Sequence, residues 1–410
     1  MKAVAIVILL WCCMTGSAQS YTSKQYKEDF EFFWNSVNDK YCYFNKKKVD
    51  WNKVKEIYAS QIDTVTSRSS FVTILEHLLY ELYDHHCSLN TNTDFSRRLV
   101  PTGADLWAEY NKGKPVITEV RKDFGAEVSG IMAGMEVVAI NDVPVENAIS
   151  QFLAHTNDIE AKSFALRLVL AGDHLAKRKI TLKHNGVTTD FYPDKERMLL
   201  ENTSYKTMVE TNRFGNIGYI RINNCLFDND LIPRFDSALN QLMKTNALIL
   251  DLRETASGGN SSVARAIISR FITKEGFYQK HEYYAEEKET GIKRSWEEIV
   301  SPRGITYTKP LVILADHWTG SMGEGITIGF DAMKRATVIG TPLARLIGAT
   351  ETFEMPNTKI RFNFPTERLY HINGLPRELF EPRINVDITK QTTGKDPILI
   401  KALSVLATKK

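Results

Sequence analysis

Two short runs constrain this chain most: Ala247-Leu248-Ile249-Leu250-Asp251-Leu252 and Pro310-Leu311-Val312-Ile313-Leu314-Ala315. Each is a nearly unbroken apolar stretch of strand length. A strand that is apolar on both faces must be covered on both, which is the situation of a parallel sheet between layers of helices. The neighbouring segments obey that demand. Ile217-Gly218-Tyr219-Ile220-Arg221-Ile222 predicts another strand, and so does Ala336-Thr337-Val338-Ile339-Gly340. Helices are predicted over Asp230 to Met243, Ser261 to Ile272 and Ser321 to Met333. Strands alternating with helices specify a mostly parallel α/β core over residues 196–410. Phe277 to Tyr307, polar and charged for most of its length, reads as an excursion or lid on that core.

The first half follows other periods. Phe30, Phe33, Val37 and Tyr41 recur at spacings of three and four, as one face of a helix requires. A second helix runs through Trp51, Val54 and Ile57. A third starts after a Ser69-Ser70 cap and carries Phe71, Ile74, Leu75, Leu78, Leu79 and Leu82. Residues 21–100 thus predict a helical domain. Over 101–195 the period shortens to that of strands. Pro115 to Val120 is one strand; Gly130 to Val145 then reads as a glycine turn, a strand, an Asn141-Asp142 turn and another strand. This stretch resembles a PDZ domain, although Glu136 and Asp142 stand where that pattern has Asp and Gly. The resemblance implies a sheet edge open to an extended peptide; a β-domain that only packs against its neighbours is equally consistent.

Residues 1–20 differ again. Lys2, an apolar run from Ala3 to Met14, and then Gly16-Ser17-Ala18-Gln19-Ser20 make a signal peptide, with cleavage after Ala18 or Ser20. The alternatives are a buried strand, or lipidation at Cys12 or Cys13. No later stretch has the length of a membrane span, so the expectation is an exported protein, periplasmic or extracellular. A net charge of +3 over 410 residues argues against nucleic-acid binding. Cys42, Cys87 and Cys225 show neither a zinc spacing nor a disulfide framework and read as buried thiols.

Two segments past buried strands suit acyl chemistry, because open α/β sheets bind ligands beyond the carboxyl ends of their strands. The first runs from Asp251 through Gly258-Gly259 into a helix. Paired glycines bring backbone N–H groups close to a ligand, and a helix start favours developing negative charge. The second is Thr319-Gly320-Ser321-Met322-Gly323-Glu324, where a serine opens a helix and the Met322 N–H lies beside it. Alone, Ser321 reads first as a helix cap, with Glu324 completing a capping box.

Together these segments resemble the C-terminal-processing and tricorn-like serine peptidases, a family that includes interphotoreceptor retinoid-binding protein. The likeness runs through Leu248 to Gly259, Thr319 to Glu324, Ala336 to Gly340, Glu381-Pro382-Arg383-Ile384-Asn385-Val386 and Gly394-Lys395-Asp396. It implies a multidomain α+β chain: a helical domain, a PDZ-like domain and an α/β core of the ClpP/crotonase-like kind. It also implies Ser321 as nucleophile, with Gly258, Gly259 and Met322 at the oxyanion. Processing peptidases take a lysine some two dozen residues later as base. Thr341 to Thr350 holds none, Arg345 cannot release a proton, and Lys334 is too near the nucleophile's own helix. The tricorn-like branch uses a histidine, and its Asp-x-His spacing selects His86 in Asp84-His85-His86 over His85. A late glutamate orients that histidine or the site water; Glu378 lies in the matching zone, with Glu381 as rival. Asp251 and Arg253 are expected to stabilise the strand end. No metal, nucleotide or flavin is indicated. The expected activity is hydrolysis of peptide or protein substrates. The alternatives are a non-catalytic protein of the same fold that sequesters peptides or apolar ligands, and an esterase acting on small substrates. The oligomeric state is open.

Overall fold

A computed structural model describes residues 21–153, 156, 158–195, 207–389 and 395–407. The leader expected over residues 1–20, and Gly394 of the closing motif, lie outside the described residues.

The chain opens with helices Ser23–Lys40, Trp51–Ile62 and Arg68–Tyr80. Phe30, Phe33 and Val37 share the buried face of the first, as their spacing requires. The third begins earlier than the sequence suggested. Ser67 caps it from extended backbone and accepts the Ser70 N–H at 3.1 Å, so Ser69 and Ser70 are already helical. It also stops at Tyr80, which puts Leu82, His85 and His86 in the loop that follows. These helices do not close a core alone. Their apolar faces share one cluster with Met355, Ile360, Phe362 and Phe364, and the Phe33 and Phe362 rings lie 4.8 Å apart. Buried Asp29 accepts both the backbone N–H (2.7 Å) and the hydroxyl (2.6 Å) of Thr358. After the loop comes β1 (Ser88–Leu89).

Strands β2 (Leu106–Asn111), β3 (Lys114–Val120), β4 (Glu136–Ile140), β5 (Val143–Pro144), β6 (Ile180–His184) and β7 (Val187–Phe191) form one sheet, ordered β2-β3-β4-β6-β7 with β5 on β4. Asn141 and Asp142 both take positive φ, +50° and +65°, as a two-residue hairpin turn needs. Helices Val145–Ser150 and Ile159–Ala171 pack on this sheet.

The core sheet contains β8 (Val209–Phe214), β9 (Ile217–Ile222) and β10 (Ala247–Asp251). Two further strands, β11 (Gly276–Tyr283) and β12 (Arg294–Val300), leave it for another sheet. Next come β13 (Leu311–Ala315), β14 (Thr337–Gly340), β15 (Ala349–Glu354), β16 (Arg361–Tyr370) and β17 (Ile384–Asn385). The core order is β17-β14-β13-β10-β9-β8, with only the β8–β9 pair antiparallel. Every residue of β10 and β13 is buried, as an apolar run covered on both faces must be. Helices Leu231–Leu242, Ser261–Ile268 and Met322–Ala332 cover one face, and Pro397–Ala407 covers the other.

The segment Phe277–Tyr307 is not a lid. β11 and β12 join β16 in a second sheet, ordered β1-β16-β11-β12 with β15 on β16. In β12 exposed Ser295, Glu297 and Ile299 alternate with less exposed Trp296, Glu298 and Val300, whereas β11 also buries the polar side chains Gln279, His281 and Glu282 within the sheet's packing. This sheet serves the site directly, because β1 pairs with β16 through Ser88–Asn363 and Leu89–Phe362 and thereby fixes the loop that ends at Cys87.

Candidate active site

β10 and β13 are parallel neighbours, so the turns leaving them emerge at one sheet edge. The two turns are zipped together. Thr255 N–H donates to the Trp318 carbonyl at 3.2 Å, and Gly320 N–H to the Thr255 carbonyl at 3.4 Å. The hydroxyls of Thr255 and Thr319 both donate to the Leu252 carbonyl, at 2.7 and 3.1 Å. Side chains are squeezed out of this seam. A Cβ on Gly258, whose φ is +67°, would stand 2.4 Å from Ser321 Cβ and 3.0 Å from Met322 N. A Cβ on Gly259 would stand 2.1 Å from the Leu226 backbone.

Ser321 opens helix Met322–Ala332 with φ +49°, a strained angle for a residue other than glycine. Its N–H donates to Glu324 Oε2 at 2.8 Å, the capping contact that its spacing anticipated. Burial pushes the Glu324 carboxyl up to about 7, against the pull of Arg377, whose Nη2 is 3.6 Å away.

The Ser321 hydroxyl lies 3.1 Å from His86 Nε2, across 235 residues of sequence. The other ring nitrogen, Nδ1, lies 2.9 Å from the Ile347 carbonyl. A carbonyl can only accept, so Nδ1 carries the proton and Nε2 presents a lone pair to the serine. Removal from water pushes the His86 imidazole down to about 4, and the Arg377 guanidinium adds to that. The Asp-x-His spacing has a local cause: Asp84 Oδ1 accepts the His86 backbone N–H at 2.9 Å and does not touch its ring. Tyr41 OH donates to the other Asp84 oxygen at 3.1 Å, and burial pushes this carboxyl up to about 6. His85 points elsewhere, stacked 4.3 Å from Phe164 and accepting from Arg167 Nε at 3.0 Å.

Of the expected oxyanion donors, Gly258 is corrected. Its N–H is taken by the Thr255 carbonyl at 2.9 Å, so Gly258 contributes space rather than a donor. Among the described residues, the N–H groups of Gly259 and Met322 have no acceptor. The expected contact of Glu378 with the histidine is also corrected, since Ile347 occupies Nδ1. Glu378 Oε1 instead accepts from Lys46 Nζ at 2.7 Å, while its buried Oε2 has no partner among the described residues. The rival Glu381 pairs with Arg345 at 2.7 Å on the surface. Arg253 bridges Asp251 (2.6 Å) and Asp396 (2.9 Å), tying the strand end to the last helix.

Two participants escaped the sequence. The Ile347 carbonyl carries no side-chain signature at all. Arg377, fully buried, donates to the Leu346 and Gly348 carbonyls at 2.7 and 2.9 Å and so brackets Ile347. Its only sequence signal was its place beside Glu378.

Residues 216–389 match the model of peptidase family S41, and residues 22–80 match that of the tricorn protease C1 domain. The fold is similar to the photosystem II D1 C-terminal processing protease (16% identity, 91% of this chain and 96% of that one, TM-score 0.57). It is also similar to mature CPAF complexed with lactacystin (15%, 94% and 97%, 0.58) and to a Parabacteroides merdae protein (17%, 94% and 98%, 0.58). With the peptidase family S41 match spanning the turns that hold Gly258 and Ser321, residues 216–389 are similar to that family, and the chain is a serine-type peptidase hydrolase.

Proposed function

We propose that this peptidase cleaves peptide bonds with Ser321 as nucleophile and His86 as general base. The observation that carries the reading is the 3.1 Å contact between Ser321 Oγ and His86 Nε2, in the tautomer that leaves Nε2 unprotonated. Oγ attacks the substrate carbonyl carbon while Nε2 takes the hydroxyl proton. The carbonyl electron pair moves onto oxygen, which the N–H groups of Gly259 and Met322 receive. Collapse expels the amine, which leaves with the proton from His86. Water then attacks the acyl-enzyme, again through His86, and releases the carboxylic acid. The unpartnered Glu378 Oε2 suits positioning that water. The serine–histidine contact favours hydrolysis over the ligand-only alternative.

Labelling by a fluorophosphonate tests the assignment. Wild type should label, and Ser321→Ala should not; His86→Ala should lose roughly 10³-fold or more in rate. A folded wild type that never labels would overturn it.

Residues 101–195 are read as a PDZ-like domain between a helical domain at 21–100 and a catalytic domain at 196–410. The sheet of β2 to β7 with the helices packed on it supports that reading. Hydrogen exchange with substrate peptide should slow at an end strand, β2 or β7; unchanged exchange at both would remove the peptide-binding role. Export is read from residues 1–20, and N-terminal sequencing of the mature protein should begin at Gln19 or Tyr21. An intact Met1 on the exported fraction would rule cleavage out.

A further inference from the structure

Along β3 the buried side chains are Pro115, Ile117 and Glu119, and Arg121, just past the strand's end, continues the alternation. Ile117 packs into the apolar core under its own sheet. The two charged residues instead reach the turns of the core sheet. Glu119 Oε2 accepts from His317 Nδ1 and, at 2.8 Å, from the Thr341 hydroxyl. His317 stands four residues before Ser321 on the nucleophile turn. Thr341 opens the stretch that leads to Ile347, whose carbonyl holds His86 Nδ1. The Arg121 guanidinium forks onto Glu254 through Nε at 3.1 Å and Nη2 at 2.7 Å. Glu254 stands four residues before Gly258 on the other turn. All five of these side chains are buried.

Apolar packing joins the same parts. Ala256 and Trp318, one from each turn, share a cluster with Val100, Ala104 and Trp107. The Trp318 indole N–H donates to the Ala104 carbonyl at 2.8 Å, and the Trp107 ring stacks on His317 at 4.6 Å. Three separate pieces of the active site, the nucleophile turn, the oxyanion turn and the stretch that holds the histidine, are therefore anchored on two residues of one strand face.

We infer that Glu119 and Arg121 are positioning residues for the peptidase reaction, acting through His317 and Thr341 and through Glu254 to set where the nucleophile, the base and the oxyanion donors stand relative to one another. This rests on Ser321 and His86 as nucleophile and base. Apolar side chains could close the same contact without burying charge. What the carboxylate and the guanidinium add is direction, because each accepts or donates only along fixed lines and so fixes the turn that it meets.

Steady-state peptide hydrolysis and the rate of fluorophosphonate labelling test this on the full chain, well below the thermal midpoint of every variant. Glu119→Ala and Arg121→Met should each lower kcat and the labelling rate roughly 10²-fold with KM nearly unchanged. Glu119→Gln keeps an oxygen able to accept both donors and should recover most of that loss. Arg121→Lys keeps the charge without the fork and should stay roughly tenfold down, which carries the test should Arg121→Met not fold. Asp236→Asn is the stability control, since its partners Arg270 and Arg303 belong to neither turn. It should lower the thermal midpoint and leave kcat unchanged. Losses in Glu119→Ala and Arg121→Lys no larger than in Asp236→Asn, or a loss wholly in KM, would overturn the inference. A wild type that never labels overturns the Ser321 reading and this inference with it; a wild type that labels no faster than these variants overturns this inference alone.

Discussion

Gly258→Ala isolates the contact between the two turns. The position has φ +67°, so an added Cβ brings left-handed strain of about 1–2 kcal/mol wherever it sits. Here it also meets Ser321 Cβ at 2.4 Å, Ser321 Oγ at 2.9 Å and Met322 N at 3.0 Å. Restoring ordinary carbon–carbon contact needs a displacement of about 1 Å between the turns, and a misplacement of that size costs on the order of 10²-fold in rate. Because Met322 N–H moves with Ser321, a weakened oxyanion contact brings the expected loss in kcat/KM to roughly 10²–10³-fold. Gly291→Ala is the matched control: its φ is +73° and nothing lies within 4 Å of the added carbon. It should show the loss of stability that the strain alone brings, with unchanged activity. The assay pairs peptide hydrolysis with denaturant unfolding of both variants. Gly258→Ala hydrolysing peptide as fast as Gly291→Ala would refute the reasoning, since the strain would then account for everything.

With His86 held near 4, kcat/KM should stay flat from neutral pH down to about 5 and fall below that; an acid limb near 6.5 would remove the desolvated base. The same shift acts on stability. The unfolded histidine binds its proton first, at about 6.5, so stability is lost as pH falls from there toward 4. The full effect is about 3 kcal/mol, and His86→Asn should therefore gain on wild type across that window; parallel unfolding curves at pH 4.5 and 7 would sink this. Arg377→Met leaves the Leu346 and Gly348 carbonyls unpaired and should cost roughly 2–4 kcal/mol. It also removes a cation that opposes His86 protonation, so the acid limb should move to higher pH, and an unmoved limb would count against that coupling.

The parallel core was legible because β10 and β13 are apolar on both faces, a pattern few other environments satisfy. The two turns were legible too, since glycine at 258 and 259 and serine at a helix start are local features. Of the two readings of Phe277–Tyr307, the excursion from the core is what the structure shows and the lid is not, because buried polar residues such as Gln279 and Glu282 made two paired strands look like surface loop. The Ser69-Ser70 cap failed because three nearby serines offer the same hydroxyl, and only the backbone angle selects Ser67.

What the sequence determined by itself was therefore local: strand positions, glycine turns, a serine at a helix start and an Asp-x-His spacing. The tertiary structure decided how these meet. Pairing of β1 with β16 and burial of Phe362 under the N-terminal helices carry His86 across the molecule to Ser321. It also supplied what no side chain advertises, the Ile347 carbonyl that sets the histidine's tautomer and the Thr255 carbonyl that occupies Gly258 N–H. Every residue has a backbone carbonyl, so its role follows only from where the fold places it.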